Sequence, residues 1–450
     1  MNPSIFREYD IRGVAEHDMP DAFVKDLGRA VGTFLKRKGA AKIVLGRDCR
    51  MSSPRLHTAL RDGLLETGIH LLDIGVGPTP LMYFSVFHFN LDGGVQITGS
   101  HNPPNDNGFK LMSGKSTLYG KDIQTLREMI EKQDFELPAK GGLEEVDAIP
   151  AYAGYMKGNF DIKGKRIRFA IDAGNGAGGP TALAAMHAVG LEPDPMFCSM
   201  DGAFPNHHPD PSMPENLEAL ITRVKSQHYD LGIAFDGDAD RIGVIDANGE
   251  IIWGDKLLIL LSRALLKTHP GATIISEVKA SQTLYDDIAK HGGRGILWKT
   301  GHSLIKKKMK EEKALLAGEM SGHVFYADRY FGFDDAIYTA LRLVEILSRE
   351  DKALHELIAD VPVTYATPEI RVDCPDDQKF DVVERVKAHY KGKKEVIDID
   401  GVRILFEQGW GLVRASNTQP VLVLRFEAAT KEALSAIRNE VESVVKQARN

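Results

Sequence analysis

The sequence predicts an α/β protein built from three related α/β domains with mainly parallel sheets, followed by a C-terminal α+β domain. Three observations carry this. The chain has 450 residues, more than one hydrophobic core usually supports, and about 100–200 residues per domain gives roughly three to four units. A rhythm of strand, turn, helix, glycine and strand recurs three times. The C-terminal stretch then changes character.

The first copy of the rhythm runs from Lys42–Gly46 through a helix near Pro54–Thr67 to Leu71–Ile74. The second is Arg166–Ile171, Pro180–Val189 and a strand after Gly190. The third is Ala272–Ile275, Ser281–Lys290 and Gly295–Trp298. Each short β-branched run gives way to a helical pattern that stops at glycine. Alternating elements of this kind imply a parallel sheet covered by helices, and the repetition implies an internal repeat. From Val396 to Phe426 four closely spaced strands are expected (396–399, 402–406, 411–415 and 421–426), then a helix over 431–447 with Leu434, Ile437, Val441, Val444 and Val445 on one face. The domains are expected at 1–148, 149–250, 251–361 and 362–450.

Composition narrows the function. A hydrophobic share of 43% with 26% charged residues is that of an ordinary soluble protein. A net charge of −7 argues against nucleic acid or an anionic membrane as the main partner. Cys49, Cys198 and Cys374 lie far apart and form neither a CxxC pair nor a disulfide framework, which suits a reducing cytosol. The N-terminus carries no apolar signal-peptide core. The run Leu257–Leu266 is broken by Ser262 and Arg263 and falls short of the ~20 residues that span a bilayer. A cytoplasmic location is expected.

Asp236, Asp238 and Asp240 follow the apolar run Leu231–Phe235, so their carboxylates can converge at the end of a buried strand. Three hard oxygens without an adjacent His or Cys favour Mg²⁺ or Ca²⁺ over zinc, and Arg241 and Ala247 stand where an EF-hand needs Gly and Glu. The alternative is a solvated acidic turn, but carboxylates this close repel one another unless neutralised. Ser100, in Thr98-Gly99-Ser100-His101-Asn102-Pro103, follows another apolar strand and is a candidate nucleophile with His101 beside it. It is not a GxSxG elbow, and a polar turn before proline is the plainer reading. Lys110 is a nearby cation suited to a phosphate.

Gly174-Asn175-Gly176-Ala177-Gly178-Gly179 matches GxGxxG between a strand and a helix, with Glu192 and Asp194 at about the Rossmann spacing. It supplies a second hypothesis, a nicotinamide-dependent oxidoreductase, against a tight turn that lets a helix pack on its sheet. Arg414-Ala415-Ser416-Asn417-Thr418 offers a planar fork, two hydroxyls and an amide, a set that suits a phosphate dianion. Gly318–His323 combines Glu319 and Ser321, paired donor and acceptor groups for sugar hydroxyls.

Together with Tyr9-Asp10-Ile11-Arg12-Gly13, these stretches resemble the α-D-phosphohexomutase family in order and along nearly the whole chain. Met320 in Gly-Glu-Met-Ser-Gly-His is similar to the phosphomannomutase/phosphoglucomutase branch, whereas phosphoglucosamine mutases usually carry glutamine there. The resemblance implies four domains around a central cleft. It implies a phosphorylated Ser100 that completes a Mg²⁺ site with Asp236, Asp238 and Asp240, and a hexose 1,6-bisphosphate that acts as intermediate and activator. It assigns catalysis to Ser100, His101, Lys110, Arg12 and His323, with His323, His101 and Lys110 as candidates for proton transfer and Arg12 steadying charge beside Tyr9. Substrate contacts fall to Tyr9, Arg241, Lys279, His302, Glu319, Ser321, Arg414, Ser416, Asn417 and Thr418. The implied partners are small sugar phosphates, with no nucleic acid or membrane, and the protein is expected as a monomer or small homo-oligomer. A phosphoglucosamine mutase of the same family and a non-catalytic sugar-phosphate sensor are the remaining alternatives.

Overall fold

One strand order recurs in three of the four sheets. The computed structural model describes residues 2–138, 140–416 and 419–449. In the first sheet, Lys42–Arg47 lies between His70–Val76 and Gly93–Ile97, all parallel, and Asp106–Ser113 adds antiparallel to the last. In the second, Phe169–Asp172 lies between Asp194–Met196 and Leu231–Phe235, with Ile242–Asp246 antiparallel outside. In the third, Thr273–Glu277 lies between Arg294–Trp298 and Leu316–Gly318, with Val324–Tyr326 antiparallel outside. The expected repeat is therefore real, and each parallel core gains one antiparallel strand that the sequence reading does not anticipate. Strands such as Gly93–Ile97 and Leu231–Phe235 are buried along their whole length, as sheets covered on both faces require.

The antiparallel strand matters because of the loop that leads into it. The Ser100 loop joins Gly93–Ile97 to Asp106–Ser113, the aspartates join Leu231–Phe235 to Ile242–Asp246, and Glu319–His323 joins Leu316–Gly318 to Val324–Tyr326. Three motifs without common sequence thus occupy one position in a repeated unit, at the carboxyl ends of parallel strands, where open α/β sheets hold ligands.

The C-terminal sheet is antiparallel, in the order Tyr365–Ala366, Val421–Ala428, Gly409–Ala415, Val402–Phe406, Val396–Ile397, with Ile370–Asp373 also on Val421–Ala428. The helix Lys431–Arg449 covers it as expected. The helix Lys379–Tyr390, absent from the sequence reading, joins it by burying Val382, Val383, Val386 and Tyr390. Arg414 lies one residue before the end of the strand Gly409–Ala415, which pairs antiparallel with Val421–Ala428.

A continuous apolar core links the first three domains. The helix Gly254–Thr268 buries its leucines in it, and no described helix is long and apolar enough to cross a membrane. Near its centre Asp335 is 1% exposed and accepts hydrogen bonds from Tyr152 Oη (2.9 Å), Tyr330 Oη (2.7 Å) and Tyr338 N (2.8 Å). The fourth domain rests on the third through Trp410 and Leu412 against Val278, and through Arg403, whose guanidinium donates to Val278 O and Ala280 O, both at 2.9 Å.

Burial pushes the Asp335 carboxyl up from 3.8 to about 6, against the pull of its three donors. A carboxyl raised in the folded state holds its proton where the unfolded chain has lost it, so stability falls as pH rises through that interval. At ~1.4 kcal/mol for each tenfold change in proton affinity, the rise from 3.8 to about 6 amounts to roughly 3 kcal/mol. Asp335→Asn, uncharged throughout, should flatten the decline in melting temperature between about pH 4 and pH 7. An unchanged slope in that variant would show that Asp335 is not the group responsible.

Candidate active site

Asp236, Asp238 and Asp240 are each 0% exposed, and one oxygen from each lies within 4.8 Å of the others. The turn that brings them together places Ala239 at φ +54, the left-handed residue of the loop. The counter-charge comes from the first domain. Lys110 Nζ lies 2.7 Å from Asp238 Oδ2 and 2.5 Å from Asp240 Oδ2.

The titration behaviour follows from that pairing. Burial disfavours the Lys110 ammonium, but Asp238 and Asp240 outweigh it and hold the group charged, well above its ordinary value. Burial likewise works against Asp238, yet Lys110 and the Thr79 hydroxyl keep its carboxyl below the usual range. Asp236 lies outside the ion pair, and burial followed by the charges of Asp240 and Asp238 pushes it up. Asp238 Oδ1 and Asp240 Oδ1 are buried without a hydrogen-bond partner. Hard, orphaned anionic oxygens in one place suit a divalent cation.

Ser100 faces this cluster. Its Oγ donates to Asp236 Oδ2 at 2.9 Å and lies 3.1 Å from His101 Nδ1, and its backbone is held at φ +50. Burial, followed by the nearby charges of Arg241 and Arg12, holds His101 well below its usual range, so its ring is neutral. Arg12 ion-pairs with Asp10 (2.7 Å) and donates to Asn102 Oδ1 (2.9 Å). It therefore braces the Ser100 loop, while the Tyr9 hydroxyl donates across the cleft to Thr300 O at 3.1 Å. Lys110, expected among the groups suited to proton transfer, is held as an ammonium by Asp238 and Asp240.

The third domain supplies His323 and His302, stacked with ring centroids 5.6 Å apart. His323 Nε2 accepts from Arg241 Nε at 3.0 Å, and its Nδ1 lies 3.0 Å from Asp334. Ser321 Oγ donates to Glu319 at 3.4 Å. Burial and the neighbouring charge of Glu277 raise Glu319. Lys279 lies 3.5 Å from Glu277 and 3.3 Å from Glu369.

Thr300 is where the walls meet. Its carbonyl accepts from Tyr9 of the first domain, its amide donates to Asp400 of the fourth (3.0 Å), and its hydroxyl donates to Glu277 (2.6 Å). Asp400 in turn pairs with Arg414 at 3.1 Å, and Ser416 Oγ accepts from Gln419 N at 3.2 Å. Asn417 and Thr418 lie outside the described residues. Gly301 donates its amide to Glu319 at 2.7 Å. It stands at φ +129, where a Cβ would come 2.7 Å from the Tyr9 ring. The sequence reading missed Thr79, Glu277, Thr300, Asp334 and Asp400, since each acts through partners distant in the chain.

The glycine-rich stretch finds its explanation here. A Cβ on Gly176 would meet Gly237 O at 2.6 Å and Gly237 Cα at 2.9 Å, and one on Gly178 would meet Ala239 Cβ at 2.5 Å. Ala177 N also donates to Gly237 O at 2.9 Å. These glycines let the aspartate turn lie on the helix start, and the face that a dinucleotide would need is covered. The oxidoreductase alternative is overturned.

A serine hydroxyl beside buried carboxylates, with cations and polar groups on facing walls, is the kind of site that suits an intramolecular phosphotransferase. Comparison with known proteins agrees. The family models for phosphoglucomutase/phosphomannomutase match residues 3–137 (alpha/beta/alpha domain I), 150–249 (domain II), 253–365 (domain III) and 369–444 (C-terminal domain). The chain is 46% identical over 446 residues to a phosphomannomutase/phosphoglucomutase of Pseudomonas aeruginosa, covering 98% of this chain and 96% of that one. It is 45% identical over 445 residues to a phosphoglucomutase of Neisseria gonorrhoeae, with the same coverage. A crystal structure of a phosphoglucomutase/phosphomannomutase family protein from Burkholderia thailandensis superposes with a TM-score of 0.93 at 40% identity, covering 100% of this chain and 98% of that one. The chain belongs to the phosphoglucomutase/phosphomannomutase family. It is a phosphohexomutase.

The packing of Gly176 against Gly237 is testable. Gly176→Ala should cost about 1–3 kcal/mol in chemical denaturation and lower turnover, because the obstructing atoms are backbone of the aspartate turn. Wild-type stability with full activity would refute the packing argument.

Proposed function

We propose that this enzyme interconverts hexose 1-phosphate and hexose 6-phosphate, with glucose or mannose as the sugar, through a phosphorylated Ser100. The observation that carries the proposal is the Ser100 hydroxyl set 2.9 Å from Asp236 within a buried carboxylate cluster that already holds a lysine. The names of the relatives from Pseudomonas and Neisseria support the choice of sugars.

Asp236, Asp238 and Asp240, with an oxygen of the Ser100 phosphate, would hold Mg²⁺. When bound, the ion supplies positive charge to the phosphoryl group and lowers the cost of its transfer. The family fold is shared with an Aspergillus fumigatus N-acetylphosphoglucosamine mutase solved with GlcNAc-6P and magnesium (TM-score 0.63, 14% identity).

The residues of the chain divide the remaining work. Phosphoryl transfer depends on positioning and charge neutralisation, and Lys110 and Arg241 remain cationic for that purpose. A free sugar hydroxyl forms the new P–O bond while the bond from phosphorus to Ser100 Oγ breaks, giving a hexose 1,6-bisphosphate. The proton of that hydroxyl passes to His323, whose Nε2 is an acceptor in its bond with Arg241. The neutral His101 handles the proton of Ser100 Oγ. After the bisphosphate turns around, Ser100 takes back the other phosphoryl group. Arg414, Ser416, Asn417 and Thr418 anchor the phosphate that is not reacting, Glu319 and Ser321 hold sugar hydroxyls, and Tyr9, Lys279 and His302 complete the cleft. A hexose 1,6-bisphosphate primes the unphosphorylated enzyme.

Ser100→Ala should take up no phosphate from labelled glucose 1,6-bisphosphate and should turn over at less than about a thousandth of the wild-type rate. Stoichiometric labelling of the variant would reject Ser100 as the acceptor. The same coupled assay with glucose, mannose and glucosamine 1-phosphates decides the substrate: turnover of glucosamine phosphate alone would favour the phosphoglucosamine mutase alternative. Tight binding without turnover of any sugar phosphate would favour a sensor.

A further inference from the structure

Ser100 sits in a backbone conformation that costs an L-residue about 1–2 kcal/mol. In the loop around it the Ser100 carbonyl is buried, and the bonds to the Asn102, Pro103 and Asp106 carbonyls are partly buried. Buried acceptors of this kind must find donors. A single side chain supplies most of them. Arg50, 0% exposed, donates from Nη2 to Ser100 O at 2.7 Å and to Asn102 O at 2.6 Å. From Nη1 it donates to Asp106 O at 3.0 Å and, in a short contact, to Pro103 O.

The guanidinium is itself held. Asp48 lies 3.2 Å from Arg50 Nε and accepts the Arg50 amide (3.0 Å), the Gly99 amide (3.1 Å) and the Ser53 hydroxyl (2.5 Å). Gly99 is obligatory here, since a Cβ would come 2.5 Å from the guanidinium carbon. On the outer side the second domain closes over the group. The Phe204 ring lies 5.2 Å from Arg50 Cζ, Gly202 packs on the Arg50 backbone, and His208 Nε2 reaches His101 O at 2.5 Å. The carbonyls of residues 100 to 103 are thus each held by a charged or ring nitrogen from elsewhere in the chain.

We propose that Arg50 is a positioning residue for phosphoryl transfer: its planar fork fixes the Ser100 loop and thereby the direction in which Ser100 Oγ presents its phosphoryl group. The inference rests on Ser100 being the phosphoacceptor. Lysine cannot replace the fork, because a point charge with three donors on a flexible stem does not reproduce four in-plane bonds. A misplacement of about 1 Å at a reacting atom costs on the order of 10²-fold in rate.

The test uses full-length Arg50→Lys, assayed with glucose 1-phosphate after priming with glucose 1,6-bisphosphate, with the phosphorylatable fraction counted by labelling. The expected result is a kcat per labelled site lower by about 10²-fold, with KM changed less than about threefold because the proposed anchors for sugar hydroxyls and phosphate, Glu319, Ser321, Arg414 and Ser416, lie on other walls. A purely structural role predicts fewer labelled sites, each working at the wild-type rate, and that result overturns the proposal, as does wild-type kcat. Asp48→Asn, which keeps shape but removes the charge facing Arg50, provides the second reading should Arg50→Lys not fold: kcat per labelled site should fall about tenfold, and an unchanged value overturns the proposal. Wild-type enzyme that turns over without being labelled would instead sink the Ser100 reading itself, and Arg50 with it.

Discussion

Three carboxylates with no solvent exposure, held within a few ångströms by one turn, are the constraint around which the molecule is arranged. At such spacings and an effective dielectric near 20, each charged pair repels by roughly 3–4 kcal/mol. The second domain contains the problem, and the first domain supplies the remedy. Lys110 arrives on the strand Asp106–Ser113 and pairs with two of the three. The same strand leaves the Ser100 loop, so the hydroxyl and its neighbouring cation reach the carboxylates together. The seam between the two domains is thus electrostatic at its centre, with the glycines at 176 and 178 allowing the aspartate turn to lie low on its own helix.

Repetition explains how four unrelated motifs come to face one cleft. Each of the first three domains presents the loop before its antiparallel strand, and the fourth presents a hairpin connection of its own sheet. Cross-domain bonds then set their spacing: Thr300 ties to Tyr9 and to Asp400, and Asp400 faces Arg414. These polar ties stand beside the broad apolar core that unites the first three domains and the smaller Val278, Trp410 and Leu412 cluster that joins the fourth to the third.

Much of this was legible in the sequence, for physical reasons that differ by feature. Buried parallel strands are short β-branched runs, so Lys42–Gly46, Arg166–Ile171 and Ala272–Ile275 marked the three central strands, although the second begins only at Phe169. The aspartate triplet announced itself because like charges rarely cluster without cause. Partnerships across more than a hundred residues left no local mark. Nothing near Thr300 or Asp400 indicates that they bond to each other, and Arg50 looks like one more arginine before a helix. The helix Lys379–Tyr390 was missed because its apolar positions, Val382, Val383 and Val386, are few among charges. GxGxxG stayed open between two readings, since a close approach of two backbones demands the same glycines as a close approach to a pyrophosphate.

If Lys110 is the internal counter-ion of the carboxylate cluster, a divalent cation must compete with it for oxygens of Asp238 and Asp240. Calorimetric titration of Mg²⁺ into the wild-type enzyme and Lys110→Met therefore probes the arrangement at its root. The variant should bind Mg²⁺ at least about tenfold more tightly, a gain of roughly 1.4 kcal/mol, even as phosphoryl transfer is lost. Equal or weaker binding would mean that the lysine does not neutralise these carboxylates, and the electrostatic basis proposed for the site would be wrong.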